Sequence, residues 1–167
     1  MLTIALTSIP PRFGTLPCVL RHLQAQTVPA RIVVSIPLTY RRFPDEVRLP
    51  DLPPGVILRR PEKDYGPATK LLGALEDSSA SDILYCDDDW AYAPDWAETL
   101  VRARPNADTA VAASTFPLSR LKRDATPPFD RIAQGFGGVL VNRRMFGASV
   151  YVLPDAAFVA DDIWLSG

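Results

Sequence analysis

Apolar runs of strand length alternate with stretches of helical periodicity along almost the whole chain. Leu2 to Thr7 is short and apolar enough for a first strand. Leu16, Val19, Leu20 and Leu23 then recur at helical spacing, which predicts an amphipathic helix with Thr15 as its N-cap and Pro17 tolerated in the first turn. β-branched runs at Arg31 to Pro37 and Gly55 to Arg60 predict two more strands. A second helix shows an apolar face of Ala68, Leu71, Leu72 and Leu75, with Lys70 off that face. Ser81 to Cys86 reads as a fourth strand, Tyr92-Ala93-Pro94 opens a helix with Ala97, Leu100 and Val101 on one side, and Ala110 to Thr115 and Val139 to Val141 read as further strands. This alternation is that of an α/β domain with a mostly parallel central sheet flanked by helices. Such sheets take ligands outside the carboxyl ends of their strands.

Two stretches depart from the alternation. Leu38 to Pro54 is a long proline-containing loop, and an irregular connection of that length is often functional, although a plain surface excursion would look the same. Phe116 to Asp130 is polar and basic, in the manner of a flexible lid or of ordinary solvated charge. The 167 residues suit one domain, and 18 basic against 19 acidic residues give a formal net charge of -1, so no broad field draws nucleic acid or an anionic membrane. Cys18 and Cys86 lie in apolar surroundings and are expected to be small buried hydrophobes. No signal peptide or membrane-spanning run is visible, and a cytosolic location is expected. His22, the single histidine, falls off the apolar face of its helix, so a histidine-based metal or triad site is not expected.

Chemistry is concentrated where the fourth strand runs into Asp87-Asp88-Asp89. Strand alternation would project Asp87 and Asp89 together and send Asp88 the other way. Two converging carboxylates repel each other and recruit a cation, and hard oxygen ligands suit Mg²⁺ or Mn²⁺ shared with a diphosphate. A solvated acidic turn is the plainer alternative. Lys70 sits in the first turn of its helix, where free N–H groups favour phosphate, or it is a solvated surface lysine. Asp64 is a candidate beside it, or a turn former. The Gln134 to Val141 run holds Gly135, Gly137 and Gly138, which permit close approach of backbone to a ligand or simply a bulge. Asp161-Asp162 precedes Ile163-Trp164: a helix cap, or a second acid pair beside an aromatic.

The ordered set of Ser8-Ile9-Pro10-Pro11-Arg12 after a first strand, Asp64-Tyr65-Gly66-Pro67-Ala68-Thr69-Lys70 before a helix, the Asp-x-Asp run, a glycine-rich strand and Asp161-Asp162-Ile163-Trp164 resembles the GT-A fold glycosyltransferases, of the family-2 kind. The resemblance covers nearly the whole chain. It implies a donor that is a nucleoside-diphosphate sugar, a UDP-sugar first, and an acceptor that is a glycan or other hydroxyl compound. It implies Mn²⁺ or Mg²⁺ at Asp89 and Asp87, with Ser8, Pro10, Arg12, Asp64, Lys70, Asp87 and Asp88 on the nucleotide side. Asp162, or Asp161, would be the base of an inverting transfer, and Gly137, Gly138 and Trp164 would lie on the acceptor side. Residues 1–115 would form the nucleotide-sugar half of a single domain, 1–167, and 116–167 an acceptor half shorter than in many relatives. No Gln-x-x-Arg-Trp motif is present, so non-processive transfer is expected. Other classes stay open: a metal-dependent phosphohydrolase or nucleotidyltransferase using Asp87 to Asp89, or a non-catalytic nucleotide-sugar or glycan binding module. Phosphatases with an Asp nucleophile place it after the first strand, and here that strand ends in Ser8.

Overall fold

The computed structural model describes every residue except Glu46, Val47, Ala125, Pro128, Phe129 and Gly167. Strands β1 (Leu2–Thr7), β2 (Ala30–Ser35), β3 (Val56–Arg59) and β4 (Asp82–Tyr85) lie parallel in the order β3-β2-β1-β4. Short β5 (Val111–Ala112) and β8 (Val139–Asn142) extend the sheet beyond β4, with β8 antiparallel to both of its neighbours. Helices α1 (Leu16–Gln24), α2 (Thr69–Leu75) and α3 (Trp96–Ala103) flank it, so the architecture is α/β with a mostly parallel central sheet.

Burial on both faces explains why the strands read as continuous apolar runs. Ile4, Leu6, Leu84 and Cys86 face Leu16, Leu20 and Leu23 of α1 and Ala97 and Leu100 of α3. Ala5, Ile83 and Tyr85 face Leu71, Leu72 and Leu75 of α2 on the other side. Helix α1 has the expected buried face, but the Thr15 hydroxyl donates back to the Arg12 carbonyl and caps no amide. Val101 and Cys18 are exposed, against expectation: α3 buries only Ala97 and Leu100, and Cys18 falls between the buried positions of α1. Cys86 is buried as expected, and burial pushes its thiol up to about 12.

The run from Ala110 to Thr115 is divided by a bend, and only Val111–Ala112 joins the main sheet. Thr115 instead starts β6 (Thr115–Pro117), which pairs antiparallel with β7 (Arg131–Ala133) in a separate two-stranded sheet. The basic segment between them is thus a hairpin connection, with a turn of 3₁₀ helix at Leu118–Leu121. Residues 155–157 form another 3₁₀ turn, and α4 (Asp161–Ser166) packs against β7. Among the described residues no helix is long and apolar enough to cross a membrane.

Candidate active site

β4 ends at Tyr85, so Asp87, Asp88 and Asp89 belong to the turn beyond it and strand alternation no longer governs them. Each carboxylate takes its own direction. Asp87 Oδ1 lies 2.6 Å from Lys70 Nζ. Asp88 is buried and accepts from the Ser8 hydroxyl and, at 2.7 Å, from Arg12 Nη1. Asp89 is half exposed, and the same Arg12 Nη1 stands 3.1 Å from its Oδ2. The expected pairing of Asp87 with Asp89 against Asp88 is therefore corrected: Asp88 and Asp89 share a cation, and Asp87 turns to another.

Lys70 is not a solvated surface lysine. It lies off the apolar face of α2, yet only 2% of its side chain is exposed, because the turn after β4 and the start of α4 close over it. Its ammonium is 2.8 Å from Asp161 Oδ2 as well as 2.6 Å from Asp87, so its direct partners are two carboxylates and not solvent. Burial alone would lower its pKa, but Asp161 and Asp87 outweigh that and hold it above the ordinary lysine value. The two acidic clusters, far apart in sequence, are thus neighbours about one ammonium.

Asp161 and Asp162 do open α4, but their side chains point beyond capping. Asp162 Oδ1 accepts the Gly135 backbone N–H at 2.8 Å, and burial raises its pKa. Gly135, the first glycine of the run, lies against this cluster. A Cβ on Gly135 would stand 2.5 Å from Lys70 Nζ and 3.2 Å from Asp162 Oδ1, so the bare glycine lets this 3₁₀ turn sit directly against the ion cluster. Gly137 and Gly138 instead serve Trp96: its indole N–H donates to the Gly137 carbonyl at 2.7 Å, and Gly138, at φ 96°, leaves room for its ring. Trp164 donates its indole N–H to the Val150 carbonyl and is partly buried.

Tyr92 is a further residue the sequence reading missed as a site component. It is buried, its hydroxyl lies 3.1 Å from the Asp87 N–H and from the carbonyls of Asp87 and Phe136, and burial keeps it neutral. Its position three residues after the acid run, before Pro94, was its only visible signal. Beyond β2 and β3 a cavity of about 470 Å³ is lined by Tyr40, Arg41, Lys63, Asp64, Asp155 and Phe158 among others. Asp64 holds its wall by accepting from the N–H groups of Arg41 and Gly66. The Arg41 guanidinium lies 4.5 Å from the Phe158 ring centroid and pairs with Asp155. Tyr40 donates to the Ser8 carbonyl at 2.6 Å, tying this cavity to the β1 loop that also carries Pro10 and Arg12.

A similar fold occurs in a known enzyme. The mannosyltransferase PcManGT from Pyrobaculum calidifontis, solved in complex with GDP-Man and Mn2+, superposes with a TM-score of 0.55 at 19% identity. The chain shares its fold with a glycosyltransferase. The likeness covers 86% of this chain and 45% of that one, so the chain spans less than half the length of the mannosyltransferase. No protein-family model and no curated protein matches its sequence.

Among the described residues, no group of three or more His, Cys, Asp or Glu side chains is placed to enclose a metal ion. A resident, protein-caged metal does not fit. A hard cation that arrives with a diphosphate does, since such ions keep waters and need only one or two carboxylates from the protein. Asp89 is half exposed and one of its oxygens is free of Arg12.

Proposed function

We propose that the chain is a glycosyltransferase that moves a sugar from a nucleoside-diphosphate sugar to an acceptor hydroxyl, with inversion and without processive elongation. The observation that carries this reading is the meeting of Asp87 and Asp161 on Lys70, which brings the acid run and the late acid pair to one place at the carboxyl end of β4. Ligands of doubly wound sheets lie at such strand ends.

Asp89, half exposed, would hold Mn²⁺ or Mg²⁺, and Asp87 could join it only through the oxygen that Lys70 does not hold. The cation supplies charge neutralisation for the departing diphosphate. Arg12 offers a guanidinium whose four other N–H donors are free to meet phosphate oxygens while it releases Asp89. The Tyr40 and Phe158 cavity provides a seat for the nucleoside, with Asp64 on its wall. The neighbour's GDP-Man supports a nucleotide-sugar donor as a class, and guanosine and uridine donors are both to be tried.

Asp162 is the base. Asp161 is committed to Lys70, whereas Asp162 has one oxygen fixed by the Gly135 N–H and the other free. As the acceptor oxygen bonds to the anomeric carbon, its proton passes to that free oxygen, and the bond from the anomeric carbon to the diphosphate breaks. Burial raises the Asp162 pKa, which makes it a better proton acceptor than an ordinary aspartate.

Calorimetry of UDP and GDP binding, with Mn²⁺ and with EDTA, tests the reading. One of the two should bind only with the cation, and Asp89→Asn should abolish that dependence. Equal binding in EDTA would sink the metal bridge, and binding of neither nucleotide would sink the donor class.

A further inference from the structure

We propose that Trp90, backed by Phe136, is the platform that holds a sugar ring between the two acidic clusters; the role rests on the glycosyltransferase reading. Trp90 directly follows Asp89 and is 52% exposed, whereas tryptophans are on average among the well-buried residues. Its indole is not adrift. The ring packs on Phe136 with centroids 5.5 Å apart and planes at 51°.

Phe136 is fixed from both sides. Its carbonyl accepts from the Tyr92 hydroxyl at 3.1 Å, and the preceding residue, Gly135, donates its N–H to Asp162. The indole is therefore joined to Asp89 by the chain and to Asp162 through Phe136 and Gly135. A ring undergoing transfer between a diphosphate at Asp89 and a base at Asp162 has to lie between those two attachments. Sugar rings present an apolar C–H face along with their hydroxyls, and an aromatic face beside carboxylates matches both. Trp164, the aromatic expected in this role, has its indole N–H engaged by the Val150 carbonyl. The other exposed apolar side chains near the late acids, Val152, Val159 and Ile163, offer no flat face.

The ring belongs either to the donor or to the acceptor, and two arms of one experiment separate them. In the first, affinities of UDP-glucose and GDP-mannose are measured beside those of UDP and GDP, for wild type, Trp90→Ala and Trp90→Phe. In the second, a panel of methyl glycosides is titrated with the preferred nucleotide present, following tryptophan fluorescence and its quenching by acrylamide. We expect Trp90→Ala to lose about tenfold in one arm only. Trp90→Phe should retain most of the affinity, and bound sugar should shield the wild-type indole from acrylamide. Unchanged affinity in both arms, or an equal loss for UDP, GDP and their sugars, overturns the platform; should Trp90→Ala fail to fold, Trp90→Phe and the wild-type quenching decide it. Nucleotide binding without an effect of Trp90 leaves the glycosyltransferase reading standing and removes the platform. Methyl glycoside binding through Trp90 without nucleotide binding does the reverse, and a wild type that binds neither overturns both.

Discussion

Two cations in this site each bridge two carboxylates, and their surroundings set them apart. Lys70 joins Asp87 to Asp161 with 2% of its side chain exposed, while Arg12 joins Asp88 to Asp89 with 46% exposed. A buried ion has lost its water and depends on its partners, so removing one partner leaves an uncompensated charge. An exposed ion can exchange a partner for water or a ligand at little cost. Lys70 is accordingly the fixed joint of the site, and Arg12 is the cation that can change partners when a phosphate arrives.

The largest effect should come from breaking the buried bridge. Lys70→Met leaves Asp87 and Asp161 facing each other without a counter-charge and should cost about 3–5 kcal/mol in urea unfolding. Adding Asp161→Asn should recover part of that loss, because the two residues share one interaction and their effects should couple by roughly 0.5–3 kcal/mol. The Lys70 pKa is raised in the folded state, so its contribution is full below the unfolded lysine value, about 10.4, and is lost only as pH rises through the higher folded value. A loss below about 1 kcal/mol, or strict additivity, would show that the Lys70 bridge contributes no more than an exposed ion pair.

How much of this was legible beforehand follows from the range of each interaction. Strands and helices were readable because burial on both sheet faces writes itself into local periodicity, as in Leu16, Val19, Leu20 and Leu23. The acid run and the late pair could be singled out as residues. Their joining could not, since Lys70 and Asp161 are brought together by tertiary packing and Lys70 occupies a position that helical periodicity marks as polar. The neighbours of the glycine run were hidden for the same reason: spacing does not show that Gly138 makes room for Trp96 and Gly135 for Lys70. The division of the Ala110 to Thr115 run was likewise hidden, because only pairing partners reveal which residues leave the main sheet.

A smaller effect on stability, with a large one on turnover, is expected at the acid that Lys70 does not hold. Asp162→Asn should bind nucleotide as wild type and lose transfer by about 10²-fold or more. Wild-type kcat/KM should fall on the acid side at a pH above about 4, the ordinary aspartate value, because a base with a raised pKa takes up its proton earlier as pH drops. The variant's residual rate should lack that limb. Asp161→Asn, which alters the joint and leaves the free oxygen of Asp162, should affect stability more than the acid limb. If the limb survived in Asp162→Asn, another group would be the base.

The smallest effect on the fold should come from Arg12→Ala, and it sharpens the contrast with Lys70. Asp89 is half exposed, and buried Asp88 loses its counter-charge but keeps the bond from the Ser8 hydroxyl, so one carboxylate is weakened where Lys70→Met strips two. Urea unfolding should shift by roughly 1–3 kcal/mol at most, the range for one lost partner of a charged group. Affinity for the nucleoside diphosphate should nonetheless fall by a similar amount, while that for the nucleoside alone stays near wild type, because the departing guanidinium is a phosphate donor. The difference should narrow as salt rises, since an exposed charge is screened and the Lys70 bridge is not. Equal weakening of diphosphate and nucleoside would mean that Arg12 only shapes the β1 loop, and a destabilisation as large as that of Lys70→Met would show that the two bridges are the same kind of joint.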